Sequence, residues 1–450
     1  MTKKQRFILT ITLLVAVFTA LLNQTVMVTA LPVMMQQFSI KLTTAQWLTT
    51  GYVLVLGIAT PISALLYERF STRHLFITLI ISFIVATLVG ASGVNFAMVL
   101  IARLCQAAMG GILMTFSQIA LLGLYSPQQR GTILGLFSMV VSAGPAIGPT
   151  FAGILLAHFT WHSLFWVVLV VMVLILGLGW RFLPDLQAGQ PIKFDWVAIG
   201  LLVTGMGLLL IGISTLQTNW QWGLGLLLVG VFLTAGFVRQ QLSTTQPILN
   251  LRLFKNATFT RMTLAVMLTF AVMMGTETLL PVLLETHRGL SSMQTGLVML
   301  PGALANVILA PLVGRWYDQH GLEKIMMIGL ALTLVASGWF YFITAETPVV
   351  FIILAYALRM SGSAMIISVT VAQALAPLAG RELSHGTALN NAVRQIAGSL
   401  GNTVLIWAVN SQANFNGGFQ LAMGVTIVAA LGLVWLGISE IRAIKAVANQ

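Results

Sequence analysis

Charged residues are scarce in this chain. Of its 450 residues, 7% are charged and 58% are hydrophobic, whereas about a quarter of a soluble globular domain is charged. Apolar runs of about 20 residues recur along the chain, as membrane-spanning helices require. The polar connections between these runs are short, so the composition leaves no room for a soluble domain.

Cysteine and the usual catalytic motifs are also nearly absent. The single cysteine, Cys105, has no partner for an internal disulfide, and its apolar neighbours suit a small packed side chain. The sequence contains no Walker loop and no recognisable catalytic triad. The six histidines map to predicted span ends or loops, which gives no support to a metal site. We therefore expect neither an enzyme nor a cofactor.

Acidic residues are outnumbered: 10 Asp and Glu stand against 22 Lys and Arg, for a net charge of +12. Such a balance can indicate a nucleic-acid partner, but here the positive residues are concentrated in the loops on one predicted side of the membrane. With the N-terminus placed inside, only Lys41 and Arg288 fall in outer loops. Since positive charge gathers on the cytoplasmic side, we expect a multi-pass plasma-membrane protein with both termini cytoplasmic and no nucleic-acid partner. The predicted cytoplasmic residues are Lys3, Lys4, Arg6, Arg69, Arg73, Arg130, Arg181, Lys193, Arg239, Arg252, Lys255, Arg261, Arg315, Lys324, Arg381, Arg442 and Lys445.

The apolar runs predict an all-α membrane protein with fourteen spans. An internal repeat at an offset of 250 residues relates spans 1–6 to spans 9–14, and spans 7 and 8 have no repeat partner. Two six-helix halves in parallel register are typical of transporters. We expect a six-helix bundle at 1–185, an inserted two-helix hairpin with linkers at 186–256, and a second bundle at 257–450. The spans lie at about 7–31, 45–67, 75–94, 96–124, 131–157, 162–183, 194–216, 221–240, 258–284, 292–317, 324–344, 348–376, 386–409 and 418–440.

Five sequence segments carry a family resemblance. The loop after span 2 holds Ala64, Glu68, Arg69 and Arg73, similar to the motif GxLaDRxGRR, and the repeat places Gly314 and Asp318 equivalently. The other four are an RxxQG-like segment at Arg103, Gln106 and Gly110, a GPxxGPxxGG-like segment at Gly144, Pro145, Gly148, Pro149 and Gly153, an LDxTIVNVALP-like segment at 22–32, and a span-13 segment at 391–401. Together they resemble the major facilitator superfamily, specifically its fourteen-helix drug:proton antiporters of the EmrB/QacA type.

That resemblance implies the major facilitator fold, with two pseudo-symmetric six-helix bundles. It also implies proton-coupled export of hydrophobic, cationic compounds by alternating access, driven by the proton gradient. The acidic residue that this family carries in span 1 is Asn23 here. Asparagine does not titrate, so the resemblance transfers no acid chemistry to this position, although Asn23 remains a candidate to hydrogen-bond substrate.

Glu277 is the one acidic residue that lies well inside a hydrophobic span. A charge at the centre of a membrane helix costs at least about 2.5–3.5 kcal/mol, so such a residue usually faces a wet cavity or a partner. We expect proton and cationic substrate to compete for this carboxylate. A structural glutamate, paired with an arginine or capped by backbone, is the alternative.

Arginines in the spans are the other candidates for coupling. Arg359 lies in span 12, where it is a candidate partner for Glu277, and Arg103 lies in span 4. Deep arginines stay charged and need partners, so both are candidates for proton coupling or for architecture. Arg394 lies nearer the cytoplasmic end of span 13, where we expect its side chain to snorkel.

Polar and soft side chains predict the substrate cavity, since methionine adapts to varied apolar shapes. The predicted substrate-binding residues are Asn23, Gln24, Gln118, Met273, Thr276, Glu277 and Met360.

The loop and glycine motifs predict conformational elements. We expect Glu68, Arg69, Arg73 and Asp318 to latch the cytoplasmic ends of the halves. The small-residue face of span 5, from Gly144 to Gly153, is predicted to pack against a helix of the other half as a rocking seam.

Two other functions stay open at this stage. One is proton-linked transport of one defined anionic or zwitterionic metabolite, and the other is a non-transporting membrane receptor or scaffold. For the drug exporter, the expected partners are small hydrophobic or cationic substrates, protons and the lipid bilayer, and we expect a monomer.

Overall fold

The structure is a computed structural model that describes residues 2–187, 189, 195–216, 219–344, 346–412 and 414–448. Lys193, one of the residues predicted to be cytoplasmic, lies outside these ranges. Within them the chain forms sixteen α-helices and no strand. They are α1 (Lys3–Phe38), α2 (Leu42–Ala45), α3 (Trp47–Ala59), α4 (Ile62–Arg69), α5 (Thr72–Ala91), α6 (Phe96–Leu124), α7 (Arg130–His158), α8 (His162–Phe182), α9 (Trp196–Thr215), α10 (Trp220–Ser243), α11 (Ala257–Pro281), α12 (Ser292–His320), α13 (Glu323–Tyr341), α14 (Val349–Leu375), α15 (Arg381–Asn410) and α16 (Phe415–Ala448).

Short polar residues mark where the apolar helices begin. The side chains of Asn95, Asn219 and Asn256 accept hydrogen bonds from backbone N–H groups in the first turns of α6, α10 and α11. Ser291 and Gln294 form a capping box at the start of α12. These caps satisfy N–H groups that have no helical acceptor, so each apolar run starts at a defined residue.

Hydropathy and length identify most of the membrane spans. Among the described residues, 11 helices are long and apolar enough to cross a membrane, and two bent pairs raise that number to 13. One bend, of 52°, separates α3 from α4, and the other, of 40°, lies in α7 at Pro145. α15, with 30 residues, is not among these spans. The all-α membrane fold is confirmed, while the number of fourteen spans stays a prediction that depends on this polar helix.

Close helix pairs follow the internal repeat. α7 packs against α1, where a Cβ on Gly144 or Gly148 would collide with Leu21 or Thr25. In the second half α15 packs against α11, where a Cβ on Gly401 would overlap the backbone of Ala271. Small residues allow this close approach of helices in a membrane, and the equivalent pairing in both halves is the structural expression of the repeat.

The hairpin of α9 and α10 packs on itself through glycines and rests against both halves. Gly212 and Gly230 lie against backbone of the opposite hairpin helix. Leu210 of α9 lies against Gly57 of α3, and Thr403 of α15 donates to the carbonyl of Ile213 at 3.3 Å. The hairpin is thus peripheral to the two bundles. Its assignment as a separate unit at 186–256 stays a prediction.

Candidate functional site

A buried polar cluster surrounds Arg103 inside the first half. Arg103 is 0% exposed, and its guanidinium donates to the carbonyls of Asn23 and Leu48 at 2.9 and 3.4 Å and to Gln106 Oε1 at 3.3 Å. Its Cζ lies 4.2 Å from the ring centroid of Tyr52. Through these contacts the Arg103 guanidinium links α1, α3 and α6. This favours an architectural role for Arg103.

Asn23 belongs to that cluster and is directed into the bundle. Its Nδ2 donates to Gln106 Oε1 at 3.0 Å, and Gln106 Nε2 donates to Thr87 Oγ1 at 2.8 Å. Asn23 is 1% exposed. In this conformation the side chain of Asn23 is therefore not positioned to make the predicted contact with substrate.

In the second half, a second buried arginine, Arg359, lies on α14. Its guanidinium donates to three hydroxyl groups, those of Thr276, Ser337 and Thr426, at 3.0, 3.1 and 3.2 Å. Its Cζ lies 5.0 Å from the ring centroid of Phe340. The expected ion pair with Glu277 is not formed, because these hydroxyls surround the guanidinium.

Glu277 lies near the outer third of the continuous helix made by α11 and the π-helical turn Val282–His287. The side chain is half-buried, and it interacts electrostatically with the buried Tyr356 of α14. Among the described residues it has neither a hydrogen bond nor an ion pair. Tyr356 belongs to the second half, so this interaction lies within that half.

The remaining predicted substrate residues are dispersed. Met273 and Met360 are buried at 6% and 2% exposure, and the carbonyl of Met360 accepts from Asn306 at 3.4 Å. Gln24 is half-buried. Gln118 Oε1 accepts from Asn391 Nδ2 of the other half at 2.8 Å. The structure thus brings Thr276 beside Arg359 and Gln118 to the interface between halves, and it does not join all seven residues into one lining.

Asp318 of α12 binds the start of α7 in the opposite half. Its carboxylate accepts from the backbone N–H groups of Gly131 and Thr132 at 2.7 Å each, and from the Thr132 hydroxyl at 2.5 Å. The first N–H groups of a helix lack helical acceptors and carry a partial positive charge. Arg130 completes the junction by donating to the carbonyls of Leu375 and Leu378 at 3.2 Å each.

Glu68, the repeat partner of Asp318, binds the start of α15. Arg381 Nη2 lies 2.6 Å from its Oε2, and His385 Nε2 lies 3.1 Å from its Oε1. The hydrogen bond with Glu68 raises the pKa of the Arg381 guanidinium above its ordinary value. Both acidic residues of the repeat therefore connect the two halves at one end of the bundle, which we call the basic end and define by Arg130 and Arg381.

Two motif assignments differ from expectation. Arg73 does not reach the other half. Its backbone N–H donates to Asp185 at 3.0 Å and its guanidinium donates to the carbonyl of Trp180 at 2.7 Å, so it links α5 to the end of α8.

The glycines of the span-5 motif do not contact the other half as predicted. Gly144 and Gly148 face α1 of their own half. Ala64 is buried beside the basic end, and a Cβ on Gly153 would meet no atom within 4 Å.

The prolines of span 5 have a local structural explanation. Pro149 lacks an N–H, so the carbonyl of Pro145, four residues earlier, has no helical donor. Thr25 of α1 donates to that carbonyl at 3.4 Å, and Thr29 donates to the carbonyl of Pro149 at the same distance. These bonds support the bent region of α7 from within the same half.

The halves meet closely along α7, the span in which the seam was predicted, but at glycines that the predicted motif does not include. Gly131 and Gly135 of α7 lie against Gly314 and Ala310 of α12, so closely that a Cβ on any of these three glycines would collide with backbone. The signal was available: two glycines four residues apart at the start of span 5, opposite a glycine already singled out in span 10. His385 was also missed, because the predicted span began at residue 386.

Taken together, the structure is a helical membrane protein of two related halves, which meet closely at the basic end around buried polar groups. The major facilitator superfamily model matches residues 13–402 and 262–447. The chain belongs to the major facilitator superfamily, and it is a transporter rather than an enzyme.

Individual proteins resemble the chain over most of its length. It is 36% identical over 404 residues to the uncharacterized MFS-type transporter YcnB of Bacillus subtilis, covering 89% of this chain and 86% of YcnB. It is 33% identical over 401 residues to the lincomycin resistance protein LmrB of Bacillus subtilis, covering 88% of this chain and 84% of LmrB. The crystal structure of the human organic anion transporter MFSD10 superposes with a TM-score of 0.72 at 15% identity, covering 96% of this chain and 100% of that one. The last likeness concerns the fold alone.

Proposed function

We propose that this transporter is a proton-coupled antiporter that exports hydrophobic, cationic compounds by alternating access. The observation that carries the proposal is the unpaired carboxylate of Glu277, half-buried within the second half. The neighbouring Arg359 is engaged by three hydroxyl groups. A carboxylate without a counter-cation in this setting favours either a proton or a cationic ligand.

The mechanism follows from that competition. Deprotonated Glu277 holds the cation, and protonation from the outer side releases it. Loss of the proton to the inner side then restores the carboxylate. Because proton and substrate bind the same group, each lowers the affinity for the other, which is the thermodynamic condition for exchange.

The basic end supplies the gate in this proposal. If that end is cytoplasmic, as the charge distribution predicts, the junctions at Asp318 and Glu68 close the path to the cytoplasm. Export then requires that these junctions open to admit substrate and re-form before release. LmrB is named for resistance to lincomycin, which supports export of foreign compounds as the direction of transport.

The test is substrate-driven proton movement in proteoliposomes. We expect a cationic dye to move protons through the wild type and not through Glu277→Gln, which keeps the size of the side chain and removes its charge. Glu285→Gln, in the π-helical turn of the same helix, is the matched control and should retain coupling. Coupled flux through Glu277→Gln at the wild-type rate would show that another group carries the proton.

A further inference from the structure

A buried amide on α15 bonds across the interface between the halves. Asn391 is 0% exposed, and its Nδ2 donates to Gln118 Oε1 at 2.8 Å and to Thr115 Oγ1 at 3.1 Å. Both acceptors are buried and belong to α6 of the first half. We call Asn391, Gln118 and Thr115 the inner lock. Its two hydrogen bonds break whenever α6 and α15 separate.

The inner lock lies deeper in the protein than the charged contacts at the basic end. Asn391 comes ten residues after Arg381, the first residue of α15. A helix rises about 1.5 Å per residue, so about 15 Å of helix separate the two residues. Leu122 of α6 and Leu389 of α15 belong to one buried apolar cluster of the two halves. Such surroundings exclude water, and hydrogen bonds in a medium of low dielectric are stronger than in water.

The inner lock contains no ionisable group. Arg394, three residues further along α15, makes no bond to it. This arginine is 5% exposed, so its side chain does not snorkel to the membrane surface as expected. Among the described residues its guanidinium has neither a hydrogen bond nor an ion pair, and its Cζ lies 5.3 Å from the centroid of the Phe270 ring in its own half. The inner lock therefore acts through neutral hydrogen bonds, unlike the carboxylates at the basic end.

The closed arrangement also leaves one polar atom of the inner lock unsatisfied. Asn391 Oδ1 is buried without a hydrogen-bond partner. A buried acceptor without a donor is costly, and the cost ends when water reaches the acceptor. The two donated bonds therefore favour the closed state, whereas the unpaired oxygen favours the open state. Such a balance keeps both states accessible, as alternating access requires.

The preceding residue, Asn390, provides an internal comparison. Asn390 is also buried, its Oδ1 also lacks a partner, and its Nδ2 donates to Thr263 Oγ1 at 3.3 Å. Thr263 lies on α11, in the same half as Asn390, so this bond persists when the halves separate. The two asparagines differ in the half that holds the acceptor. Of the two, Asn391 is the one whose bonds act on the equilibrium between closed and open states.

We propose that Asn391 is a positioning residue of the transport cycle, which holds α6 against α15 and sets the population of the state closed at the basic end. In this conformation Gln118, predicted to bind substrate, serves the closure between the halves. The proposal rests on the alternating access of the proposed function and not on Glu277. It therefore depends neither on the identity of the substrate nor on proton coupling.

The experiment measures distances between two spin labels in the purified full-length protein by electron paramagnetic resonance. The labels are placed at Gln128→Cys and Ala379→Cys, on opposite halves at the basic end, in a Cys105→Ser background. The ratio of long to short distances reports the ratio of open to closed molecules. No substrate and no pH gradient are needed, so the result is independent of the test of Glu277.

Variants of the two asparagines separate a lock from ordinary packing. We expect Asn391→Ala to raise the ratio of open to closed molecules about tenfold, because it removes both bonds and leaves the buried oxygen of Gln118 without its donor. Asn390→Ala should lower thermal stability and leave the ratio unchanged. If Asn391→Ala does not fold, Gln118→Ala decides, since it should shift the ratio in the same direction.

The double variant Asn391→Ala with Gln118→Ala tests whether the two residues act as a pair. Its shift should be smaller than the product of the two single shifts, because both substitutions break the same bond. A wild-type ratio in Asn391→Ala would overturn the proposal, and so would an equal shift in Asn390→Ala. Either result, together with loss of coupled flux in Glu277→Gln, would refute the inner lock and retain the antiporter. The expected shifts together with full coupling in Glu277→Gln would do the reverse.

Discussion

Asp318 accepts a hydrogen bond from the backbone N–H of Gly131 at 2.7 Å, and the two residues belong to opposite halves of the transporter. A side-chain acid in one half thereby caps a helix that begins in the other. Because the cap is lost when the halves separate, its free energy acts on the equilibrium between closed and open states of the basic end rather than on the stability of either half.

Removal of the charge of Asp318 should open the basic end. Asp318→Asn weakens three hydrogen bonds and the interaction with the N-terminus of α7, at a cost to the closed state of roughly 1–2 kcal/mol. We expect longer distances between spin labels at Gln128→Cys and Ala379→Cys, measured by electron paramagnetic resonance in a Cys105→Ser background. Glu323→Gln should leave the distances unchanged, because Glu323 pairs with Lys445 in its own half. Unaltered distances in Asp318→Asn would mean that the cap does not hold the gate.

Three glycine substitutions should have three different effects. Gly314→Ala places a methyl group against the backbone of Gly131 across the seam, so we expect it to hinder closure in the same distance measurement. Gly148→Ala collides with Thr25 within one half, so it should lower thermal stability with little effect on the gate. Gly153→Ala meets open space and should be neutral. A gating defect in Gly148→Ala with normal closure in Gly314→Ala would show that the seam between the halves depends on the motif glycines and not on Gly314.

Much of this arrangement was predictable from the sequence, and the limits have physical causes. The apolar runs predicted a membrane protein, and the internal repeat predicted a transporter with two related halves. The acidic residues Glu68 and Asp318 were expected to latch the halves, and the structure places both between them. Arg73 lies in the same motif and instead binds within its own half, because a loop sequence does not encode which neighbouring helix its side chains reach.

The interior of the second half was less predictable. Arg394 was expected to snorkel because span boundaries placed it near a membrane surface, whereas α15 passes between the halves and buries it. The proposed pair of Arg359 and Glu277 was reasonable from charge alone, but hydroxyl groups on three helices bind the two terminal nitrogens of Arg359. Serine and threonine are common in membrane helices and usually bond to their own backbone, so their convergence on a cation is a property of packing that hydropathy does not show.

The three deep arginines should respond differently to loss of charge. Arg103 and Arg359 each donate to three groups, so Arg103→Gln and Arg359→Gln should lower the free energy of unfolding by roughly 2 kcal/mol or more. Arg394→Gln removes an unpaired buried charge and should leave stability unchanged or raised. Thermal unfolding of the purified variants, followed by tryptophan fluorescence, measures this. A large loss of stability in Arg394→Gln alone would assign Arg394 an architectural role.

The central claim is that a proton and a substrate cation compete for Glu277. The most direct measurement is proton release from the detergent-solubilised transporter in weakly buffered solution when a saturating cationic substrate is added. We expect the wild type to release protons when the cation displaces them from the binding group, and we expect Glu277→Gln to release none. Equal release from wild type and variant would contradict the account.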